Sequence, residues 1–389
     1  MQPSDVLVGL DIGTTKVTAV IAEYDENDQL QIIGVGTAPS TGLRRGVVVN
    51  IEATLKSVDE AVETAEQMAG REVQSVVTGI AGGHIEGLNS RGVVAVTGRG
   101  REITQTDVDR VIDAAKAVVI PMDREVLHVI PQEYIVDEQG GIKNPLDMIG
   151  VRLEAEVHII TGSVTSAKNL VKCVNRAGFK VDSIVLESLA SSRAVLTREE
   201  QELGVLLIDL GGGTTDMLVH IDGAPYYTSV LPVGGAQVTN DLSIMLKTPM
   251  EAAERIKREA GACYAPMVEE GEPVIIPGVG GRPPLQAKRS DIANIIQPRM
   301  AEILTMVRDK VQKKGYLKRL FGGVVLTGGG ALMPGVVELA QDVFHTAARV
   351  GMPGNYRGVA DAYRSPEYST AVGLVLFAEE AAGHEAGEI

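Results

Sequence analysis

Two turns rich in glycine and threonine carry the residues best suited to binding a phosphate group. The first turn reads Asp11-Ile12-Gly13-Thr14-Thr15-Lys16, and the second spans residues 209–215. Glycine has no Cβ to block a ligand, so successive backbone N–H groups can converge on a phosphate. Threonine hydroxyls add donors, and Lys16 adds a positive charge. We therefore expect phosphate to be bound by Gly13, Thr14, Thr15, Lys16, Gly211, Gly212, Gly213, Thr214 and Thr215.

An aspartate precedes each turn, at the end of an apolar stretch. Carboxylates repel phosphate, but Mg²⁺ prefers oxygen ligands and keeps several of its waters. The sequence therefore predicts that Asp11 and Asp209 face a Mg²⁺ ion through its bound waters. The alternative for either turn alone is an ordinary β-hairpin reversal.

A third glycine cluster, formed by Gly328, Gly329, Gly330 and Ala331, follows another apolar strand. The carboxyl end of a strand is where α/β folds bind ligands, and a tight entry into a helix is the alternative. The sequence shows neither the GxxxxGK[ST] pattern nor an opening GxGxxG. A Walker-type ATPase and a Rossmann dehydrogenase are therefore both disfavoured.

Composition restricts the function classes further. The chain has 389 residues, a net charge of −15, no tryptophan and four phenylalanines. An acidic chain with few aromatic side chains disfavours a nucleic-acid partner, which needs basic residues and stacking surfaces. Two widely separated cysteines, Cys173 and Cys263, predict a reduced intracellular protein. The N-terminus does not resemble a signal peptide, and no apolar run is long enough to span a membrane.

The two phosphate turns belong to an internal repeat. Residues 8–21 (VGLDIGTTKVTAVI) and 207–220 (LIDLGGGTTDMLVH) each join two apolar strands through a turn. Such a repeat predicts a duplicated lobe with a cleft between the copies. Between them, an α+β insertion is expected after Gly82-Gly83, and residues 264–290 read as a loop-rich segment.

Apolar periodicity and turn residues predict the remaining elements. The expected strands are 5–10, 16–22, 30–38, 73–81, 85–91, 126–136, 152–160, 181–186, 203–209, 217–221, 226–231 and 323–327. The expected helices are 51–69, 104–118, 166–177, 187–195, 236–246, 249–260, 291–313, one from 336, and 365–382.

These motifs resemble those of a known superfamily. The two turns, the helix at 187–195, the GGGALMPG turn and the segment 368–373 resemble the five nucleotide-site motifs of the actin–Hsp70–sugar-kinase superfamily. Residues 128–161, with LASSRAVL at 189–196, resemble the FtsA family of bacterial cell-division proteins, and the resemblance runs from Val8 to about Ala378. It implies an α/β, actin-like (ribonuclease H-like) two-lobed fold with a duplicated βββαβα core, a nucleotide cleft and an FtsA-type 1C insertion.

The resemblance also implies a division into four subdomains. Subdomain 1A would comprise 1–83, 163–203 and 357–389, and 1C would be the insertion at 84–162. Subdomain 2A would comprise 204–232 and 321–356, and 2B would be 233–320.

By resemblance, the cleft would bind ATP or ADP with Mg²⁺. Glu254 and Lys257 would reach the ribose, Arg258 would lie along the adenine, and Gly329 and Gly330 would lie beneath the base. Gly234 and Gly235 are also expected at the nucleotide. Glu187 is the candidate catalytic residue beside the attacking water, although an acid at a helix N-terminus is also favoured by the helix dipole. At most a slow ATPase is expected.

The family resemblance further implies partners. FtsA proteins self-assemble into filaments on the inner face of the cytoplasmic membrane and hold the C-terminal tail of FtsZ on subdomain 2B. Residues 294–302 resemble the tail-binding helix, with Arg299 and Glu302 for charges and Ile295 and Met300 for apolar contact. A solvated i,i+3 pair is the alternative for the two charged residues.

The family's usual basic, amphipathic membrane helix is not recognised at the C-terminus, so truncation and poor pelleting with liposomes are expected. The expected location is cytoplasmic, peripheral on the inner face of the bacterial cell membrane at the septum, with other divisome proteins as further partners. A PilM-like pilus-assembly adaptor is the alternative within the same fold. A small-molecule kinase of the superfamily is the alternative enzyme, but no segment reads as its sugar- or acid-holding site.

Overall fold

The structure is a computed structural model that describes residues 6–354, 357–358 and 363–387. The predicted start of the first strand at Asp5 lies outside the described residues. The same holds for parts of the predicted subdomain 1A, at 1–5, 359–362 and 388–389.

The strands follow in chain order. They are β1 (Leu7–Ile12), β2 (Lys16–Tyr24), β3 (Leu30–Pro39), β4 (Leu43–Arg44), β5 (Val47–Val48), β6 (Ser75–Ile80), β7 (Glu86–Ala95), β8 (Arg124–Val136), β9 (Gln139–Ile142), β10 (Arg152–Ser163), β11 (Lys180–Leu186), β12 (Val205–Leu210), β13 (Thr215–Ile221), β14 (Ala224–Leu231), β15 (Val274–Ile276), β16 (Leu285–Ala287), β17 (Val324–Thr327), β18 (Ala348–Val350) and β19 (Arg357–Gly358).

The helices agree closely with the apolar periodicity. They are α1 (Ile51–Ala69), α2 (Gln105–Lys116), α3 (Val164–Arg176), α4 (Glu187–Val195), α5 (Arg198–Leu203), α6 (Gly235–Leu246), α7 (Met250–Ala260), α8 (Arg289–Lys313), α9 (Val336–Phe344) and α10 (Ser369–Gly387). The predicted helices 51–69 and 187–195 are confirmed at both ends. The short helix α5 was not predicted, and α10 begins four residues later than predicted because a 3₁₀ turn, Pro366–Tyr368, precedes it.

Two sheets of matching topology form the lobes. The first sheet has the order β11-β6-β1-β2-β3-β19, and the second begins β18-β17-β12-β13-β14. In both lobes, the strand before the phosphate turn pairs antiparallel with the next strand and parallel with a later one. The register is also shared, since Ile12 lies opposite Val17 and Leu210 lies opposite Thr215. The predicted duplication is confirmed.

Helix α1 covers the first sheet, and its sequence explains both its ends and its packing. The Asn50 side chain caps the N-terminus by accepting from the Ala53 N–H at 3.0 Å. Gly70 ends the helix in the left-handed conformation, with φ of 63°. The helix lies very close to β3, because a Cβ placed on Gly36 would be only 1.9 Å from the Ala61 carbonyl oxygen. Glycine in β3 therefore permits this packing.

The insertion is built from β7, β8, β9, β10 and α2, and it continues the second sheet rather than standing apart. The sheet order runs on from β14 through β7, β10, β8 and β9, with Ser229 opposite Glu86 at the junction. This pairing was not predicted. Thr104 and Asp107 form the capping box of α2, which confirms Thr104 as the N-cap.

Polar side chains fill the boundary between the insertion and β14. His158 Nδ1 lies 2.7 Å from Asn89 Oδ1, and His158 Nε2 lies 2.8 Å from Thr228 Oγ1. The Gln132 side-chain amide donates to Asn89 Oδ1 and to the Pro225 carbonyl. Because Asn89 Oδ1 is an acceptor, Nδ1 of His158 must carry the proton. This network, made of Asn89, Gln132, His158 and Thr228, joins the insertion to the second lobe.

Residues 233–320 form the outer part of the second lobe. Helices α6, α7 and α8 pack around an apolar core that includes Val238, Ile256 and Ile296. Residues 264–290 were predicted to be rich in loops. Within them, β15 and β16 pair as a short antiparallel hairpin that was not predicted. Their three-residue length leaves too little alternation for a strand to be recognised from the sequence.

Candidate functional site

The two phosphate turns have the same backbone closure. The Gly13 N–H donates to the Lys16 carbonyl at 3.0 Å, and the Gly211 N–H donates to the Thr214 carbonyl at 3.0 Å. Each hydrogen bond reverses the chain within four residues and leaves the intervening backbone at the tip. Both tips line one polar cavity of about 160 Å³. The structure therefore brings together the two turns that the repeat predicted.

The turns also touch each other across the cleft. A Cβ on Gly212 would lie 2.4 Å from Thr15 Cγ2, and one on Gly213 would lie 2.3 Å from Thr14 Oγ1. The Thr14 hydroxyl accepts from the Gly46 N–H at 3.0 Å. Glycine at 212 and 213 is therefore needed for the two lobes to approach this closely.

Four of the carboxylates that line the polar cavity have a raised pKa. Burial raises the pKa of Asp11 to about 7, and the Asp209 carboxylate adds to the rise, whereas Lys16 opposes it. Burial also raises the pKa of Asp209, although hydrogen bonds from Ser191 and Thr370 oppose that rise. The pKa of Glu187 is raised by burial and then by Asp11 and Asp216. Negative charge is thus concentrated where a cation would be stabilised.

Asp216 is a site residue that the sequence reasoning missed. It lies opposite Asp209 in the β12–β13 pairing and lines the polar cavity. Its side chain is only 2% exposed, and neither carboxylate oxygen meets the geometry of a hydrogen bond with a described residue, although the nearby Thr214 side chain lowers its pKa. Burial, and next the Asp209 charge, raise its pKa. Asp216 could have been recognised as a site residue from its position, because it directly follows Thr215 on a strand that begins at the second phosphate turn.

Asp209 is held by residues from two helices. The Ser191 hydroxyl on α4 donates to Asp209 Oδ2 at 2.8 Å, and the Thr370 hydroxyl on α10 donates to the same oxygen at 3.1 Å. Ser191 and Thr370 are also 2.8 Å apart. Helices α4 and α10, which carry two of the five nucleotide-site motifs, therefore meet at this carboxylate, although neither hydroxyl was predicted as a site residue.

A second, more apolar cavity of about 330 Å³ adjoins the first. Its apolar lining residues are Val238, Met300, Leu332, Met333 and Pro334, and its charged lining residues include Glu254, Lys257 and Arg258. Gly235, Gly329 and Gly330, three of the glycines predicted to bind nucleotide, also line this cavity. A flat apolar ligand group joined to a charged one would match the two adjoining cavities.

The charged wall of this cavity is ordered by ion pairs. Lys257 Nζ lies 2.8 Å from Glu254 Oε2 and 3.0 Å from Thr239 Oγ1. Arg258 Nε lies 3.2 Å from Glu254 Oε1. Burial raises the pKa of Glu254, but hydrogen bonds from Lys257 and Thr239 outweigh it, so the pKa lies below its ordinary value.

Several predicted nucleotide residues lie behind the cavities instead of lining them. The Thr215 hydroxyl is fully buried and donates to the Val233 carbonyl, so its prediction as a phosphate donor is wrong. Gly234 supports the second turn, because a Cβ there would lie 2.5 Å from the Gly211 carbonyl oxygen. Ala331 packs in the apolar core of the second lobe. Gly328 and Gly329, by contrast, line the polar cavity.

A separate surface groove of about 420 Å³ lies between α6 and α8. Its lining residues are Asp241, Ile244, Met245, Asn294, Ile295, Pro298, Arg299 and Glu302. The prediction that Met300 contributes to this surface is wrong, because Met300 is 4% exposed and faces the apolar cavity. One residue on a helix turns the side chain by about 100°, so neighbours face different sides.

Arg299 forms ion pairs with two acidic residues of the groove and stays 31% exposed. Its Nε lies 2.7 Å from Asp241 Oδ2, its Nη2 lies 3.0 Å from Asp241 Oδ1, and its Nη1 lies 2.8 Å from Glu302 Oε2. The pair with Asp241 is bidentate and fixes the guanidinium plane. Ile244 and Met245, at 64% and 65% exposure, form the apolar part of the groove and were not predicted.

Comparison with known proteins identifies the family. The family model described as "Cell division protein FtsA" matches residues 206–373, and the "SHS2 domain inserted in FTSA" matches residues 82–161. The cell division protein FtsA of Borreliella burgdorferi is 52% identical over 377 residues, covering 97% of this chain and 91% of that protein. The chain belongs to the FtsA family. FtsA of Pseudomonas aeruginosa is 47% identical and covers 97% of this chain and 90% of that protein.

Solved structures show that the fold of this FtsA-family chain is actin-like. The PilM–PilN type IV pilus biogenesis complex matches with a TM-score of 0.67 at 16% identity, over 96% of this chain and 99% of that one. MreB5 of Spiroplasma citri bound to ADP matches with a TM-score of 0.59 at 14% identity, over 97% of both chains. The predicted fold class is confirmed. None of the helices in the described part of this FtsA relative is both long and apolar enough to cross a membrane.

Proposed function

We propose that this cell division protein binds ATP or ADP with Mg²⁺ between its lobes and tethers FtsZ to the membrane. The pair of facing phosphate turns is the observation that carries the nucleotide part. Phosphates would be held at the backbone of 13–15 and 211–213 and by Lys16. The base would occupy the apolar cavity beside Met300 and Met333.

The residues present fit a magnesium ion. Asp216 offers two buried carboxylate oxygens that have no hydrogen-bond partner among the described residues. Asp11 and Asp209 lie on the same cavity. Within the described ranges, no three acidic, histidine or cysteine side chains converge closely enough to ligate a metal directly. These carboxylates therefore suit an ion that keeps its waters and takes its remaining ligands from phosphate.

Each protein group then has a defined role in the cleft. The bound Mg²⁺ ion would supply charge neutralisation to the phosphates. Asp11, Asp209 and Asp216 would orient its water shell, and the backbone amides of both turns would hold the phosphate oxygens. Glu187, with its raised pKa and its place on the same cavity, is suited to accept a proton from a water. We propose at most a slow ATPase, in which nucleotide chiefly favours closure of the lobes.

The groove between α6 and α8 is the proposed site for the FtsZ C-terminal tail. Exposed Ile244 and Met245 would take apolar side chains, with Ile295 beside them. Arg299, held flat by Asp241, would remain accessible to a peptide carboxylate, whereas Asp241 and Glu302 would attract a basic residue. A helical or extended peptide carrying both charge signs fits this arrangement.

Filament formation, membrane attachment at the septum and contact with other divisome proteins complete the proposal, by analogy with the family. The subdomain boundaries given above are part of it, and the match at 82–161 supports the insertion. A PilM-like adaptor is the second candidate, favoured by the shared fold.

The test is a fluorescence-anisotropy titration of a labelled FtsZ C-terminal peptide with and without Mg·ATP. We expect saturable binding that weakens at least about tenfold in Arg299→Glu, since that change places three carboxylates together and removes the one cation among the described residues that line the groove. Arg308→Glu is the matched control, because Arg308 lies on the same helix but contacts Asp309 and the Val343 carbonyl. It should bind like the wild type.

Two results would argue against the proposed binding of the FtsZ C-terminal tail. Equal affinity of the wild type and Arg299→Glu would remove the groove assignment. An absence of peptide binding, in a protein that still binds ATP, would favour the PilM-like adaptor instead.

A further inference from the structure

The polar cavity is unusually acidic for a site that would receive polyphosphate. Its charged lining comprises two cations, Lys16 and Arg258, and five carboxylates, Asp11, Glu187, Asp209, Asp216 and Glu367. Asp11, Asp209 and Asp216 are proposed above to face Mg²⁺ and Glu187 to accept a proton, but Glu367 has neither role. It comes from the turn before α10 and lines both cavities.

Glu367 forms an ion pair with the lysine of the first phosphate turn. Lys16 Nζ lies 2.9 Å from Glu367 Oε2, with the two side chains 28% and 30% exposed. The same ammonium lies 4.5 Å from the centre of the Tyr368 ring. Tyr363 packs edge-on against Tyr368, with ring centres 5.3 Å apart. Lys16 is therefore held from one side by a carboxylate and an aromatic face.

The backbone places Glu367 firmly. The carbonyl of its neighbour Pro366 accepts from the Gly328 N–H at 3.1 Å and from the Thr327 hydroxyl at 3.3 Å. Gly328 belongs to the third glycine cluster of the second lobe, whereas Lys16 begins β2 of the first lobe. The Lys16–Glu367 pair consequently lies in the lining of the polar cavity, together with residues of both lobes.

We propose that Glu367 competes with nucleotide phosphates for Lys16 and thereby limits the affinity for nucleotide. This inference rests on the nucleotide-binding function proposed above. A phosphate at the first turn and the Glu367 carboxylate need the same ammonium, and like charges so close repel. Glu367 thus lowers affinity in proportion to the negative charge of the ligand.

The effect of Glu367 on affinity should depend on the phosphate charge of the ligand. Adenosine has no phosphate and would occupy only the apolar cavity, so Glu367 should not affect its affinity. ADP and ATP add charge at Lys16, so the effect should grow from adenosine to ATP. Mg²⁺ should reduce the effect of Glu367 because it neutralises phosphate charge. Salt should screen the repulsion between Glu367 and phosphate, because the Lys16–Glu367 pair is partly exposed.

The experiment measures equilibrium binding of adenosine, ADP and ATP by isothermal titration calorimetry, in Mg²⁺ and in EDTA. In Glu367→Gln we expect ATP to bind about fivefold more tightly, the range typical of a partly exposed charge. The gain should be smaller for ADP and absent for adenosine. Glu23→Gln is the matched control, because Glu23 pairs with Arg71 at 2.9 Å and lines neither cavity. It should leave all three affinities unchanged.

A second variant keeps the test decisive if Glu367→Gln folds poorly. Glu367→Asp retains the charge but shortens the side chain by one methylene, so it should give a smaller gain for ATP. Unchanged or weaker ATP binding in both variants, or an equal gain for adenosine, would overturn the proposal. If the wild type and every variant bind no nucleotide at all, the nucleotide-binding function itself fails, which is a separate outcome.

Discussion

Acidification should weaken the contact between the insertion and the second lobe through His158. This imidazole is 1% exposed, and burial lowers its pKa to about 4. In the unfolded chain its pKa would be about 6.5. The unfolded state therefore binds the proton more tightly, and the free energy of unfolding decreases as the pH falls from about 6.5 towards 4.

The size of the effect follows from the two pKa values. A histidine with pKa values of about 6.5 unfolded and 4 folded costs about 2.5 kcal/mol of stability at pH 4.5. The limiting cost at lower pH is about 3.4 kcal/mol, at about 1.36 kcal/mol per pKa unit. His220 lies close enough for the two imidazoles to interact, and burial lowers its pKa to about 3, so its titration acts in the same direction.

The assay is urea unfolding, followed by circular dichroism, between pH 7.5 and 4.5. His158→Gln removes the titrating group, and it should also lose about 1–3 kcal/mol at pH 7.5 because buried hydrogen-bond partners are left unpaired. The informative quantity is the loss on acidification. We expect the wild type to lose about 2.5 kcal/mol more than His158→Gln by pH 4.5.

His345→Asn provides the matched control. His345 is exposed and ends α9 with φ of 54°, a conformation that asparagine adopts readily. This variant should keep the acid dependence of the wild type. If the wild type and His158→Gln lose the same stability between pH 7.5 and 4.5, the reasoning about His158 is refuted.

Two further substitutions test the packing of the first lobe and of the insertion. Gly36→Ala should cost about 3 kcal/mol of unfolding free energy, because its Cβ would lie 1.9 Å from the Ala61 carbonyl oxygen, whereas Gly70→Ala, with open space around it, should cost about 1. Equal costs in urea unfolding would contradict the close packing of α1. Asp107→Asn should cost about 2 kcal/mol, because the buried carboxylate accepts hydrogen bonds from Thr97 and Thr104. A loss below about 0.5 kcal/mol, the size typical of an ordinary surface change, would mean that these bonds are not important.

The sequence predicted the parts of the fold that depend on local patterns. Helix α1 could be placed at both ends because its apolar spacing is regular and Gly70 supplies the left-handed C-cap. The two phosphate turns could be placed because the repeat fixes them relative to their strands. Three-residue strands such as β15 carry too little pattern to be recognised.

Nonlocal contacts could not be predicted in the same way. The pairing of Ser229 with Glu86 joins segments far apart in the chain, and the sequence of neither strand indicates which strand it pairs with. In the groove, Ile244 and Met245 come from α6, whereas all the residues predicted to bind the peptide lie on α8. Met300 was assigned to the wrong face because Pro298 and the mixed polarity of α8 obscure which side is buried. The Lys16–Glu367 pair likewise joins opposite ends of the chain.

The central claim is that the two facing turns form a nucleotide site that depends on Mg²⁺. The most direct measurement is calorimetric titration of the wild type with ATP, first in Mg²⁺ and then in EDTA. We expect one site per chain, with affinity at least about tenfold higher in Mg²⁺ because the acidic cavity otherwise repels the phosphates. Failure to bind ATP in either buffer, or binding that EDTA leaves unchanged, would contradict it.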